Sequence, residues 1–254
     1  MKFTTETSTD GVIERDFLMD DVTGVLWTPE SPSEFEDEGA PLVLMGHSGG
    51  LDKRSPGLVA RALDLVARHG FSVAAVDAPG HGDRPRNEQD RRWVDAMFRA
   101  REAGESIVPI VTEYNASLAE RAVPEWRAVI DELQALPAIG QDAPIGYGGM
   151  TLGTAIGLLL TAADPRIRAA SFGSVLVYDD LTEAAGRITV PVQFLLAWDD
   201  PEIPRETGLA LFDAFASPKK TLHANPGRHG QTPWHEIEST TAFYRRNLTP
   251  LTPR

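Results

Sequence analysis

The sequence predicts an α/β fold in which helices cover both faces of a mostly parallel sheet. Three observations indicate this class. Short apolar runs without alternation, such as residues 42–45, are typical of strands buried on both faces. These runs alternate with segments whose apolar residues recur at helical spacing. The chain has 254 residues, 42% of them hydrophobic, which is enough for one large core.

The first elements predict an antiparallel edge of the sheet. Residues 12–18 and 22–27 are two strand candidates, and Asp20-Asp21 supplies a hairpin turn between them. Residues 29–41 are polar, acidic and proline-rich, which predicts a surface loop. The regular alternation of strands and helices begins after this loop, with the strand at 42–45.

A helix follows this strand and has both end signals. Ser55 is a good N-cap, Pro56 occupies the first helical position, and Gly70 closes the far end. One apolar face is predicted between them. Its members are Leu58, Val59, Ala62, Leu63, Val66 and Ala67.

The same alternation continues to the end of the chain. Further strands are predicted at residues 71–76, 144–149, 167–172, 190–197 and 221–223. Further helices are predicted at residues 152–163, 205–216 and 232–248. The whole chain, residues 1–254, is therefore interpreted as a single α/β domain.

Residues 83 to about 135 contain more helix than one crossover requires. Pro109 and Pro124 predict breaks in this helix. The segment fits either a small helical lid, at about residues 84–124, or a longer crossover packed on the sheet. It also carries arginines at positions 84, 86, 91, 92, 99 and 101. These either bind an anionic substrate or form a solvated face paired with Asp90, Asp95 and Glu102, and we favour the solvated face.

The motif that carries chemistry is Gly149-x-Thr151-x-Gly153, between a predicted strand and a small-residue helix. This is the spacing of a nucleophile elbow. The sharp turn brings strand and helix close together, so side chains two residues on either side of the central residue would clash. The central hydroxyl is then presented at a helix N-terminus, which favours a developing anion.

These residues resemble the α/β-hydrolase superfamily, most closely its esterase and dienelactone-hydrolase-like branch, over nearly the whole chain. Further segments match the family's order along the chain. They are His47-Ser48-Gly49-Gly50, Asp77-Ala78-Pro79-Gly80-His81-Gly82, residues 198–204 and Gly227-Arg228-His229-Gly230. The chain departs from the family at the nucleophile, because Thr151 stands where serine is usual. Threonine keeps the hydroxyl but adds a methyl group that restricts χ1.

The resemblance implies a role for each candidate site residue. Thr151 is the nucleophile, His229 the general base, and Asp200 the acid that orients it. His235 is the next candidate for the base, and Asp199 competes with Asp200.

The backbone N–H groups of Gly49 and Leu152 are expected to form the oxyanion hole, and Ser48 is an alternative donor. The implied activity is hydrolysis of a small-molecule carboxylic ester or lactone, with no cofactor. A non-hydrolytic enzyme (an acyltransferase, cyclase or lyase) and a catalytically degenerate binding protein stay open, because serine is replaced.

Composition excludes several other classes. The net charge of −13 opposes nucleic-acid binding, and the absence of cysteine excludes disulfides and thiolate chemistry. No apolar run is long enough to span a membrane and no secretory signal is visible, so a cytoplasmic location is expected. Neither an H-E-x-x-H motif nor a phosphate-binding glycine loop occurs, and no metal is expected. The oligomeric state is left open.

Overall fold

The computed structural model describes residues 1–31, 40–228 and 230–249. Within these ranges the strands form one nine-stranded sheet, in the order β1-β2-β3-β5-β4-β6-β7-β8-β9. The strands are β1 (Lys2–Thr9), β2 (Val12–Met19), β3 (Val22–Pro29), β4 (Leu42–Gly46), β5 (Ser72–Val76), β6 (Ile145–Gly149), β7 (Ile167–Gly173), β8 (Val192–Ala197) and β9 (Lys220–Asn225). The helices are α1 (Pro56–His69), α2 (Glu88–Glu102), α3 (Val108–Gln134), α4 (Leu152–Ala163), α5 (Asp179–Ala185), α6 (Arg205–Ala214) and α7 (Trp234–Leu248).

The sheet is antiparallel at one edge and parallel elsewhere, as the sequence predicts. Strands β1, β2, β3 and β5 pair antiparallel, and all pairs from β5 through β4 to β9 are parallel. The sequence prediction misses β1. All of its residues are exposed, so no buried face marks it as a strand.

The two faces of the sheet bury different helices, because successive side chains of a strand point in opposite directions. Leu42 and Leu44 of β4 pack in the cluster that contains α3, α4, α5 and α6. Val43 and Met45 pack in the cluster that contains α1 and α7. Each central strand therefore needs apolar residues at every position, which explains the continuous apolar runs.

Helix α1 follows its predicted end signals. It begins at Pro56 and ends before Gly70, whose φ of 68° is the left-handed conformation of a helix C-cap. Its predicted apolar face is partly shifted, because Leu65 is buried whereas Leu63 is exposed. The short helix α5 is missed by the sequence prediction.

The predicted break of the lid segment at Pro124 is wrong, because Pro124 lies inside the continuous helix α3. Pro109 lies in the first turn of α3, where a missing N–H costs nothing. Burial of Leu118, Trp126 and Ile130 along one face of α3 offsets the bond that Pro124 removes. The predicted surface loop at 29–41 falls largely on residues 32–39, outside the described residues. No helix in the described ranges is long and apolar enough to cross a bilayer.

Candidate active site

Thr151 occupies the turn between β6 and α4 in a backbone conformation that its residue type rarely adopts. Its φ is 51° and its ψ is −110°. A positive φ is a genuine outlier for a β-branched residue and is held only where the surrounding structure demands it. Its N–H donates to Ser174 O at 3.0 Å, which anchors the turn to the residues after β7. The predicted elbow is therefore present, with Thr151 at its apex.

The glycines of the motif are required by close packing. A β-carbon on Gly149 would lie 2.4 Å from the carbonyl carbon of Gly153. A β-carbon on Gly153 would lie 2.5 Å from Gly46 O in β4. Both contacts are with backbone, which cannot move aside. The spacing Gly149-x-Thr151-x-Gly153 thus reflects the clash predicted from the sharp turn.

Two buried side chains hold the elbow in place. The Thr154 hydroxyl lies 2.8 Å from both Gly149 O and Gly173 O, and accepts from Gly173 N–H at 3.0 Å. The Tyr147 hydroxyl donates to Gly153 O at 2.7 Å. Burial raises the pKa of Tyr147, so this donor keeps its proton. Strand β6, helix α4 and strand β7 are therefore tied together around Thr151.

Thr151 opens into a cavity of about 640 Å³, which we call the elbow cavity. This volume suits a small organic substrate. Its lining comes from the loop after β4, the loop after β5, helices α2 and α3, the start of α4 and the residues after β8. Most of the lining side chains are apolar, including Met97, Val111, Leu118 and Leu176.

The candidate oxyanion residues lie beside Thr151. Gly49 and Leu152 both line the elbow cavity, and a β-carbon on Gly49 would lie 3.9 Å from that of Leu152. The N–H of Leu152 is in the first turn of α4, where backbone donors have no acceptor within the helix. Ser48 is not part of the cavity lining, and its hydroxyl lies 3.5 Å from Met150 O.

His47 fixes the loop that carries Gly49. It is buried, its Nδ1 lies 2.9 Å from Ser48 O, and its Nε2 accepts from Ala78 N–H at 2.9 Å. Since a carbonyl only accepts, Nδ1 carries the proton and the ring is neutral. Burial lowers the pKa of His47, which agrees with this assignment. The contacts of His47 thus give it a structural role in this loop.

Asp77 anchors the loop that follows β5. Its carboxylate accepts from Lys53 Nζ at 2.6 Å, Thr23 Oγ1 at 2.7 Å and Asp83 N–H at 3.1 Å. Burial opposes the charge of Asp77, but these hydrogen bonds hold its pKa below the usual value. Asp77 therefore joins the loops after β4 and β5, both of which reach the elbow cavity.

The loop that carries the candidate acid lies beside the loop that carries the candidate base. Asp200 is half-buried, and its Oδ1 accepts from the N–H groups of Glu202 at 2.9 Å and Ile203 at 3.2 Å. Asp199 is exposed, and its N–H donates to Gly227 O at 3.2 Å. Pro201, Glu202 and Ile203 line the elbow cavity.

The candidate base, His229, lies outside the described residues. Its neighbour Gly230 lines a small cavity together with Met150, which precedes Thr151. The alternative base, His235, is exposed, and its Nε2 lies 3.2 Å from Asn225 Oδ1. His235 does not line the elbow cavity.

The sequence leaves the role of Arg86 and Arg101 open and assigns none to His81 and Tyr114. His81, Arg86, Arg101 and Tyr114 all line the elbow cavity. The arginines at positions 86, 91, 92, 99 and 101 are exposed, as the favoured interpretation of a solvated face expects, but none of them forms an ion pair with Asp90, Asp95 or Glu102 within the described ranges. Asp90 pairs with Arg121 at 2.6 Å.

The described residues contain no group of three or more His, Asp or Glu side chains that could hold a metal ion. The spacing of Asp199, Asp200, Glu202 and His223 in the sequence likewise matches no metal-binding signature. His223 contacts Glu236 instead, with Nδ1 2.8 Å from Oε2.

Comparison with known proteins assigns the class first. A sheet of this topology, with an elbow after β6, defines an α/β-hydrolase fold, and solved esterases share it. Acetyl xylan esterases from Paenibacillus sp. R4 and from Thermoanaerobacterium sp. JW/SL YS485 superpose with TM-scores of 0.68 and 0.66, at 14% and 13% identity. These alignments cover 97% and 94% of this chain, and 88% and 85% of the esterases.

The family follows from a more similar structure. A cold-adapted esterase from an Arctic intertidal metagenomic library, in complex with PEG, is 31% identical, with a TM-score of 0.77. The alignment covers 98% of this chain and 100% of that one. The chain therefore belongs to the same family as that esterase. No protein-family model matches the chain, and no curated protein matches it.

Proposed function

We propose that this protein hydrolyses a small-molecule carboxylic ester or lactone through an acyl-enzyme on Thr151. The observation that carries the proposal is the positive φ of Thr151 on the wall of the elbow cavity. Strain of this kind is kept where a function needs it. The esterases that share the fold, one of them in the same family, support the reaction class.

The reaction proceeds in two halves. Thr151 Oγ1 attacks the ester carbonyl carbon while His229 takes its proton, and the N–H groups of Gly49 and Leu152 stabilise the tetrahedral oxyanion. Collapse breaks the bond to the alcohol, which leaves with the proton from His229. Water then attacks the acyl-enzyme, His229 accepts its proton, and the acid is released with Thr151 restored. Asp200 orients His229 and stabilises its charged form.

The proposal extends to the organisation of the chain. Helix α2 and the start of α3 form one wall of the elbow cavity. We infer that residues 84–124 act as a lid on a single α/β-hydrolase domain. A lid of this kind excludes water from the acyl-enzyme except when it opens for hydrolysis.

Substitutions at Thr151 test the covalent step. On short-chain nitrophenyl esters, Thr151→Ala is expected to lower kcat by about 10³-fold or more, because the nucleophile is gone. Thr151→Ser is expected to retain activity, since it keeps the hydroxyl and removes the crowding methyl group. His229→Ala is expected to lose activity as Thr151→Ala does. Thr182→Ala, at an exposed position of α5, is the matched control and leaves kcat unchanged.

Covalent labelling gives an independent readout. A fluorophosphonate is expected to modify Thr151, as mapped by mass spectrometry, and to spare the Thr151→Ala variant. A label on another residue, or full activity of Thr151→Ala, contradicts the acyl-enzyme proposal. Absence of ester turnover in both the unaltered protein and Thr151→Ser favours a binding or non-hydrolytic role.

A further inference from the structure

One wall of the elbow cavity presents hydrogen-bond donors in an otherwise mainly apolar lining. Arg86 lies just before α2, Arg101 in its last turn, and Tyr114 in α3. All three line the elbow cavity, and so does Asn115. These groups are separate in sequence from the elbow and take no part in the reaction steps proposed above. Their convergence on the cavity calls for a ligand of matching chemistry.

Tyr114 lacks an acceptor. The side chain is only 5% exposed, and its buried hydroxyl has no acceptor among the described residues, although the Arg86 guanidinium lies close enough to donate to it. Burial raises the pKa of Tyr114, so the group stays a neutral donor. A buried donor without an acceptor is costly, and such groups in native structures often serve a ligand. The cavity is where that acceptor can enter.

Arg86 and Arg101 are also uncompensated. Other arginines of this region pair with carboxylates: Arg84 with Glu125, Arg92 with Glu88, and Arg121 with Asp90. Arg86 and Arg101 form no ion pair within the described ranges. Both side chains are exposed and line the cavity, so they give this wall a local positive charge in a protein of net charge −13. Glu202 also lines the cavity, but from the loop after β8.

We propose that the elbow cavity selects esters of which one half bears a carboxylate, such as half-esters of dicarboxylic acids. The inference rests on the proposed function for the bond that is cleaved. The carboxylate accepts from Tyr114 and pairs with the adjacent Arg86, and Arg101, near the other end of α2, adds positive potential to the same cavity. The apolar lining between this wall and Thr151, including Met97 and Val111, packs against the chain that joins carboxylate to ester.

A matched pair of substrates tests this selectivity. 4-Nitrophenyl hydrogen adipate carries the carboxylate, and 4-nitrophenyl hexanoate has the same chain length and leaving group without it. The unaltered protein is expected to show the higher kcat/KM for the adipate ester, with a preference that falls as salt is added. Arg86→Gln, Arg101→Gln and Tyr114→Phe are each expected to lower kcat/KM for the adipate ester about fivefold to tenfold. Hexanoate hydrolysis is expected to change little.

The control removes the same charge from the same helix without touching the cavity. Arg91 and Arg99 are exposed on α2 and do not line the elbow cavity. Arg91→Gln with Arg99→Gln is expected to leave both esters unaffected. Equal losses in this double variant and in Arg86→Gln with Arg101→Gln overturn the proposal, as does a preference for the hexanoate ester.

Binding separates this inference from the proposed function. Calorimetric titration with adipate is expected to show binding that weakens in Arg86→Gln with Arg101→Gln and persists in Arg91→Gln with Arg99→Gln. If neither ester is hydrolysed but adipate binds in this way, the ester hydrolysis fails while the carboxylate site stands. If hexanamide, which has the same chain length and no carboxylate, binds as tightly as adipate, the carboxylate site is overturned.

Discussion

Thr151 combines a residue type with a backbone conformation that stability alone does not favour. Its φ of 51° costs roughly 1–3 kcal/mol in a residue other than glycine. The close contacts of Gly149 and Gly153 show why the turn cannot relax, since strand β6 and helix α4 meet there at van der Waals distance.

Replacing Thr151 by glycine is expected to stabilise the protein. Relief of the strain exceeds the greater chain entropy of glycine, so Thr151→Gly should raise the free energy of unfolding by about 1 kcal/mol. Urea denaturation measures the change, and ester hydrolysis should be lost in the same variant. Thr182→Gly, in helix α5, is the control and should lower stability by about 0.5 kcal/mol. Equal destabilisation of both variants contradicts the claim of strain at Thr151.

At this scale the sequence predicts the elbow but not the opposite wall of the cavity. Gly149-x-Thr151-x-Gly153 is a local pattern whose spacing itself determines the turn. Arg86, Arg101 and Tyr114 line the same cavity as Thr151 because the segment that contains α2 and α3 folds against the elbow. No spacing in the sequence encodes that approach, so the sequence leaves open whether the arginines bind an anionic substrate or form a solvated face.

Elements around the elbow are joined by side chains that make no contact with the cavity. Thr154 connects the end of β6 to the end of β7, and Tyr147 connects β6 to the first turn of α4. Both side chains are fully buried, so water cannot replace their hydrogen bonds. The backbone geometry of Thr151 thus depends on side chains that do not themselves line the elbow cavity.

The variant Thr154→Val keeps the shape of the side chain and removes its hydroxyl. Backbone groups of Gly149 and Gly173 then lose their partner, so the free energy of unfolding is expected to fall by about 1–3 kcal/mol. The elbow should also loosen, which lowers kcat more than it raises KM.

Thr161→Val is the matched control in the same helix. The Thr161 hydroxyl is buried and has no hydrogen-bond partner among the described residues. Removing it should therefore leave stability unchanged or raise it. Thermal and urea unfolding of the two variants, together with steady-state kinetics, check the pair. Similar losses in both variants would contradict a specific contribution of the Thr154 hydrogen bonds.

Helix α3 illustrates where element prediction fails. Pro124 lies within its 27 residues, although proline removes one helical hydrogen bond. Leu118, Ala122, Trp126 and Val129 bury a continuous face on the sheet and on α4, which offsets that loss. The prediction of strand β1 fails for the opposite reason, because β1 pairs with β2 without burying a face. Neither backbone propensity nor hydrophobic periodicity shows these effects, because the first comes from burial against other elements and the second from pairing with a neighbouring strand.

At the scale of the whole molecule, two buried histidines in the loops beside the elbow cavity make folding stability sensitive to acid. His47 and His81 are buried, and burial lowers the pKa of each below the ordinary 6.5. The His81 Nδ1 lies 3.0 Å from Pro79 O, so Nδ1 carries a proton, and the lowered pKa favours the neutral ring. Neither histidine can gain a proton without charging a buried site.

Folding stability is therefore expected to fall as the pH drops below about 6.5. The unfolded chain takes up these protons first, so acid favours unfolding, and the stability is fully present only above the unfolded pKa. Asp77 also has a lowered pKa, so its contribution to folding stability is lost only as the pH falls below about 3.8. The pH range in which Asp77 acts is therefore separate from that of the histidines. Urea denaturation between pH 8 and pH 5 measures the slope. His47→Gln should flatten it, since the glutamine oxygen can accept from Ala78 N–H without titrating.

The global charge acts in the opposite direction and is distinguished by salt. At a net charge of −13, acid reduces self-repulsion and should stabilise the fold, an effect that salt screens. The desolvation of His47 and His81 is local and buried, so it resists screening. The loss below pH 6.5 should accordingly become steeper when about 0.3 M salt removes the opposing repulsion. A slope that salt abolishes, or one that His47→Gln leaves unchanged, assigns the acid sensitivity to surface charge instead of the buried histidines.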